Sequence, residues 1–291
     1  MAYRCNFCGG EKYNPVFDGK DIVRCTGCGL TSLCTMPSDS ELQELYDKEY
    51  SAGESFNQFY TNLSVVRKTD ASIRMHSLAK WVKGRDLLDV GAGMGNYVET
   101  AIEQGWNAKG IEISRTAILA QGNRRLPILN CPFELYETTE LYDAITLWAV
   151  LEHTPDPRGM LEKAYALLKP GGILLIETGD IGSRNARQDG EKWRMFYIAG
   201  HLYFFSSDCL DSFLDTLGFT VLETRLDKWI EHLLMQNEAQ YSLLTANAIL
   251  PRFVIQVVVH SKYLINRGLA NFGLGDVMIK IARKPESPQS S

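Results

Sequence analysis

Two pairs of cysteines stand at the start of the chain, Cys5-Asn6-Phe7-Cys8-Gly9 and Cys25-Thr26-Gly27-Cys28-Gly29, with sixteen residues between the pairs. Two thiols three positions apart on a tight turn can reach one metal ion. The glycine after the second lets the backbone bend and aim N–H groups at sulfur. Two such turns supply four thiolates, the closed tetrahedral set that zinc prefers. The spacing nominates Cys5, Cys8, Cys25 and Cys28 as ligands of a structural Zn2+. A rubredoxin-type iron site and two redox-active C-x-x-C pairs are the alternatives. A segment this short cannot bury a core that holds it together, which favours the metal. Cys34, Cys131 and Cys209 are isolated and read as small buried residues.

A second chemical feature follows at Leu87-Leu88-Asp89-Val90-Gly91-Ala92-Gly93-Met94-Gly95-Asn96, an apolar run entering a glycine-rich turn. Glycines allow close approach of backbone to ligand, and a following helix offers free N–H groups. A G-x-G motif alone is weak evidence. Glu112 lies 21 residues after Gly91 and ends the next apolar run, where a carboxylate can grip both hydroxyls of a ribose. The dinucleotide fingerprint would place its third glycine at position 96, which is Asn, while Asp89 precedes the turn. A carboxylate there would repel a pyrophosphate and suits a ligand bearing an ammonium group.

These residues require elements that hold them. From Arg85 onward, short apolar runs alternate with helical stretches. The candidate strands are 86–90, 108–113, 127–130, 143–148 and 173–177, with helices at 96–104, 114–120 and 158–168. Such alternation implies a parallel, doubly wound α/β sheet of Rossmann-like type with helices on both faces. A helix over 208–217, a strand over 219–226 and a last strand over 277–282 follow. Upstream, a helix to about Tyr50 and a long helix over 56–81 are expected, and 228–270 reads as mainly helical.

Taken in order, the motifs resemble those of the class I S-adenosylmethionine-dependent methyltransferases. Asp89, Gly91, Gly93 and Gly95 match an acidic residue followed by G-x-G-x-G. Val150-Leu151-Glu152-His153 is similar to a "VLEH" strand end, Leu168-Lys169-Pro170-Gly171-Gly172 to an "LKPGG" turn, and His201-Leu202-Tyr203-Phe204-Phe205-Ser206 to an "HLYFFS" segment. The likeness covers about 85–226. The cysteine segment through Leu45-Tyr46-Asp47-Lys48-Glu49-Tyr50 resembles zinc ribbons that precede methyltransferases acting on sugars, surface glycans and other small metabolites.

The resemblance implies a seven-stranded sheet, mostly parallel, with the last strand antiparallel. It implies a zinc ribbon over 1–36, a helical linker over 37–83, and a methyltransferase domain over 84–283 with insertions at 179–205 and 228–272. Residues 284–291 form a polar tail. For S-adenosylmethionine it assigns Gly91 and Gly93 to the methionine portion, Asp89 to its ammonium and Glu112 to the ribose, with Ala92 and Ile113 as further cofactor-binding residues. Phe133 flanks the adenine, and Trp148 lies near the sulfonium or serves as a core tryptophan. His153 is the first candidate for a general base, with a pocket-shaping or capping role as the alternative. His201 with Tyr203 is the second. Trp193, Arg194 and Tyr197 fall on an insertion that suits a lid or a solvated connection.

Composition bounds the partners. The 291 residues are 45% hydrophobic and 22% charged, with a net charge of −5, which excludes a disordered or low-complexity chain. Through Leu33 the cations Arg4, Lys12, Lys20 and Arg24 meet three acids, Glu11, Asp18 and Asp21. No basic run offers the phosphate contacts that dominate nucleic-acid binding, which argues against an RNA methyltransferase docked through its ribbon. The expected acceptor is a sugar, glycan or secondary metabolite. A cofactor-binding protein without catalysis is the other alternative. No signal-peptide pattern and no run of about 20 apolar residues is present, so a cytoplasmic protein without a membrane partner is expected. The apolar stretch after Lys228 is a candidate homodimer contact.

Overall fold

The structure, a computed structural model, describes residues 4–38, 64–227 and 275–286, with isolated further positions in 40–45 and 257–268. The expected helices up to position 63 and over 228–270, and with them the dimer contact, lie outside the described residues or nearly so.

Seven strands form one sheet: β4 (Asp86–Val90), β5 (Asn107–Glu112), β6 (Ile128–Asn130), β7 (Tyr142–Trp148), β8 (Leu168–Gly179), β10 (Thr220–Asp227) and β11 (Val277–Arg283). Their order is β10-β11-β8-β7-β4-β5-β6. The β4, β5, β6, β7 and β8 pairings are parallel, and β11 runs antiparallel to both β8 and β10. Leu87, Leu88 and Val90 of β4 and Ile173 to Ile176 of β8 are all buried, as strands covered on both faces must be. Because β4 has β5 on one side and β7 on the other, the chain crosses in opposite directions from it. That reversal opens a crevice at the carboxyl ends of the strands.

Helices α1 (Ser64–Ala79), α2 (Asn96–Glu103), α3 (Arg115–Ala120), α4 (Pro157–Leu167), α5 (Arg184–Asp189) and α6 (Ser207–Thr216) cover the sheet. Ser114, Ser183 and Ser206 cap α3, α5 and α6, and Asp156 caps α4 with Pro157 as its first residue. The expected "LKPGG" turn differs: Leu168 to Gly172 belongs to β8, which begins five residues earlier than its apolar run. Gly171 takes φ +79°, and the register against β7 shifts between Tyr142 and Ala144, so the strand continues through an irregularity.

A small second sheet, β1 (Tyr13–Pro15), β2 (Ile22–Cys25) and β3 (Thr31–Leu33), carries the cysteines. It is completed by β9 (Tyr203–Phe204), which pairs antiparallel with β3 through Thr31–Phe204 and Ser32–Tyr203. Phe7 stacks on Phe213 of α6, so the N-terminal segment shares a core with the large sheet.

Lys280 of β11 is fully buried and spends its three donors on Ser207 (2.7 Å), Asp211 (2.6 Å) and Thr224 (2.8 Å). It ties β11 to β10 and α6. Lys280→Ala leaves those acceptors unpaired beside a cavity, and urea unfolding is expected to show a loss of about 2–4 kcal/mol.

Candidate active site

The four N-terminal sulfurs converge. Cys5 and Cys28 stand 3.5 Å apart, as do Cys8 and Cys25, and all four sulfurs lie within 4.8 Å of one another. A tetrahedral ion with bonds of about 2.3 Å needs sulfurs about 3.8 Å apart, so the donor set fits zinc. The amides of Gly10 and Gly27 point at Cys8 and Cys25 sulfur, each at 3.4 Å. Gly9 and Gly29 take φ of +72° and +77°, the bend expected after the second cysteine of each pair. Cys34 and Cys131, expected to be buried, are half-exposed: Cys34 follows the end of β3, and Cys131 follows β6 on the wall of the crevice. Cys209 is buried as read, and its thiol faces the carbonyl of Cys28 at 3.5 Å.

The crevice is a cavity of about 370 Å³ lined at one end by the glycine turn and Glu112. Gly91, Gly93 and Gly95 have φ of +73°, +53° and +83°. A Cβ on Gly91 would lie 2.4 Å from a Val150 methyl, and one on Gly95 2.5 Å from Leu126, so the turn admits no side chain there. The Gly91 and Ala92 amides donate to the Ile111 carbonyl, tying the turn to β5. Glu112 accepts from the Gly93 amide and from the Ser114 amide, both at 2.7 Å. Its carboxylate is thereby held at the turn. Asp89 lies beneath the turn instead of on the cavity wall. One carboxylate oxygen accepts from Thr146 at 2.7 Å, and the other has no hydrogen-bond partner among the described residues. Burial, with Glu112 nearby, pushes Asp89 up to about 7.

Phe133, Ile113, Ala92 and Trp148 line the same cavity. Trp148 stacks on Tyr97 with centroids 4.8 Å apart, and the Arg74 guanidinium lies 5.0 Å over its ring. Arg74 is buried, ion-paired to Asp70 at 2.8 Å and to Glu177, and Tyr97 donates to Asp70 at 2.9 Å. Sequence reasoning missed this group. Its signal was present: Arg74 interrupts the apolar stripe Ala71, Met75, Leu78 of α1, and Glu177 ends the apolar run of β8. Ala149 leaves β7 at φ +52°, a left-handed turn rare for a residue with a side chain, at the centre of the cavity wall.

His153 and His201 meet edge to face, with ring centroids 4.7 Å apart. Both line the cavity, and His201 Nε2 stands 4.0 Å from the Glu152 carboxylate. Burial holds His153 down at about 4. Burial, the neighbouring His153 and Arg194 hold His201 down at about 3. Burial pushes Glu152 up to about 7. The structure does not bring Tyr203 to the cavity: its hydroxyl donates to the Pro155 carbonyl at 3.0 Å and accepts from Asn6 at 2.7 Å. Trp193 and Arg194 are likewise anchored to Asp276, with Trp193 fully buried, so this part of the insertion is fixed in place; Tyr197 faces solvent.

Among the described residues, no helix is long and apolar enough to cross a membrane. A family model described as a methyltransferase domain matches residues 68–224, more than half of the chain. The ubiquinone biosynthesis O-methyltransferase of Coxiella burnetii is 34% identical over 104 residues, 33% of this chain and 44% of that protein. The enzyme of the same name from Vibrio vulnificus is 32% identical over 111 residues, 35% and 47% of the two chains. The matched region thus spans less than half the length of these curated relatives. Among solved structures, an S-adenosylmethionine-dependent methyltransferase from Archaeoglobus fulgidus superposes with TM-score 0.52 at 18% identity, covering 75% of this chain and 94% of that one. The Burkholderia thailandensis 1,6-didemethyltoxoflavin-N1-methyltransferase, with its substrate and S-adenosylhomocysteine bound, gives 0.52 at 17% identity over 94% and 100%. These two likenesses concern the fold.

The unfolded chain protonates a histidine near pH 6.5, whereas folded His201 stays neutral to about pH 3. Its contribution to stability is therefore present above the unfolded value and is lost as pH falls through this window. From pH 7.5 to pH 5, urea unfolding of His201→Gln is expected to show a gain of about 2 kcal/mol relative to the parent protein.

Proposed function

This chain belongs to the methyltransferase-domain family, and from that premise we propose that it transfers a methyl group from S-adenosylmethionine to a small organic acceptor, releasing S-adenosylhomocysteine. The observation that carries this reading is the placement of the Glu112 carboxylate against the Gly93 amide, on the wall of the same cavity that the histidine pair lines.

The residues present fit the cofactor. Glu112 presents a carboxylate suited to a ribose diol on the cavity wall, and the bare backbone of Gly91 and Gly93 leaves room for the methionine portion. Asp89, buried with one unused oxygen, suits an ammonium reached through the turn or a water. Phe133 and Ile113 offer apolar faces to the adenine. Trp148, with its ring fixed by Tyr97 and Arg74, stands where a sulfonium would benefit from an aromatic face. When bound, S-adenosylmethionine supplies a methyl group already activated for in-line displacement. The chain's own task is to align the acceptor and keep water out, effects worth about 7–11 kcal/mol of barrier in well-oriented systems.

His153 and His201 are neutral at neutral pH, and each can accept a proton from an acceptor hydroxyl or amine. Their depressed basicity makes an isolated imidazole a weak base here. Glu152, 4.0 Å from His201 and pushed by burial up to about 7, offsets the charge of proton transfer once it ionises above that value. The acceptor we infer is a hydroxyl-bearing metabolite, sugar or glycan intermediate small enough for the cavity. The anionic net balance and the even charges of the cysteine segment disfavour RNA. The cysteine cluster, in this reading, holds a structural zinc ion. Cys5, Cys8, Cys25 and Cys28 close the tetrahedron and leave no position for catalysis.

Isothermal titration of the zinc-loaded protein with S-adenosylmethionine is expected to give one site per chain. Glu112→Ala should weaken it about 10- to 100-fold, the worth of hydrogen bonds to a charged group. An absence of heat would overturn the methyltransferase reading. With methyl-labelled cofactor and a panel of phenols, amines and sugars, His153→Ala should keep cofactor affinity within a few-fold and lower turnover about 100-fold. A loss below about tenfold would remove His153 from the role of base.

A further inference from the structure

The two histidines sit on segments that nothing in the large sheet holds side by side. His153 follows β7 in the turn before α4, and His201 ends the insertion before β9. The Glu152 carbonyl links these segments by accepting the Leu202 amide at 2.8 Å and the Tyr203 amide at 3.2 Å. His153 also interacts with the Gly200 backbone, and further connections come from the cysteine segment. Asn6, inside the first cysteine pair, sends one side-chain N–H to the Pro155 carbonyl (2.8 Å) and the other to the Tyr203 hydroxyl (2.7 Å). Tyr203 in turn donates to the same Pro155 carbonyl, so three groups close a triangle over the turn that bears His153. The Leu33 amide donates to the Leu202 carbonyl at 2.9 Å, beside the β3–β9 pairing. Arg158 reaches the Phe7 carbonyl at 3.0 Å.

We propose that the cysteine knuckle braces the acceptor end of the cavity: a metal ion on Cys5, Cys8, Cys25 and Cys28 fixes Asn6, and Asn6 locks the 152–155 and 200–204 segments so that His153 and His201 stay packed together. This rests on the reading that the histidine pair faces the acceptor. Plain docking of one module on another would need no donor at this point. Here both hydrogens of one amide end on residues flanking the two histidines. The backbone of Asn6 is set by the short loop Cys5–Cys8, whose shape depends on four thiolates sharing one ion, because the segment lacks a core of its own. Asn6 is thus a positioning residue.

The test reads the histidines directly and needs no acceptor. The full-length zinc-loaded protein is treated with diethyl pyrocarbonate, and modification of each histidine is followed by peptide mass spectrometry. Exposed His76 of α1 is the internal standard. Asn6→Ala is expected to accelerate modification of His153 and His201 about tenfold relative to His76, an opening made easier by 1.4 kcal/mol. The variant should keep one zinc per chain and bind S-adenosylhomocysteine within about twofold of the parent. Chelating the zinc from the parent should accelerate the same two histidines. Chelating it from Asn6→Ala should add less than about threefold, because both changes break one linkage. Unchanged rates in Asn6→Ala, equal acceleration of His76, a parallel loss of S-adenosylhomocysteine binding, full additivity, or a parent chain that takes up no zinc would each overturn the proposal. If His153→Ala left turnover intact while these rates behaved as stated, the brace would stand and the catalytic role would fall.

Discussion

The hydrogen bond from the Gly93 amide to the Glu112 carboxylate is the joint on which the crevice depends. It links the turn after β4 to the end of β5, and the Gly91 and Ala92 amides reinforce it through the Ile111 carbonyl. With the turn held in that shape, three successive glycines keep positive φ and the backbone lies bare on the cavity wall. The parallel pairing of β4 and β5 sets the spacing of the two ends, so sheet register becomes the spacing between a glycine turn and a carboxylate.

Buried charge is the second organising constraint. Asp70, Arg74 and Glu177 form a paired group behind Trp148, and each would be costly alone in such a place. Arg74 also stacks on the indole, so one side chain pairs with two acids and orients an aromatic face. At the histidine pair the balance is struck differently. His153 and His201 are kept uncharged by burial, and Glu152 holds its proton to about pH 7. One group is therefore built of ion pairs and the other of side chains that burial keeps uncharged, a contrast that suits a charged donor beside an uncharged nucleophile.

The glycine turn, Glu112, the cysteine pairs and the strand-helix alternation were legible in the sequence because each is local or has a fixed spacing. Asn6 was silent: an asparagine inside C-x-x-C reads as turn filler, and its partners lie near positions 155 and 203. Arg74 and Glu177 were visible as charges on apolar faces, but their meeting depends on how α1 lies against β8. Tyr203 was placed near the chemistry by its neighbour His201. His201 lies outside β9, whereas Tyr203 lies within it and turns its hydroxyl to Asn6 and Pro155, beside the cysteine segment. The "LKPGG" stretch reads as a turn from Pro and Gly, yet pairing with neighbouring strands carries it into β8.

The pairing of β3 with β9 joins residues 31–32 to residues 203–204. During synthesis the cysteine segment emerges first and can close around its ion within a few dozen residues. Its sheet must then wait for most of the large domain before the fourth strand arrives. Until that moment β3 is an open edge with unpaired amides, the kind of surface that recruits strands from other chains. The contact that covers this edge also holds the segment that follows His201, so a chain with a finished acceptor wall has, by construction, covered the open side of β3.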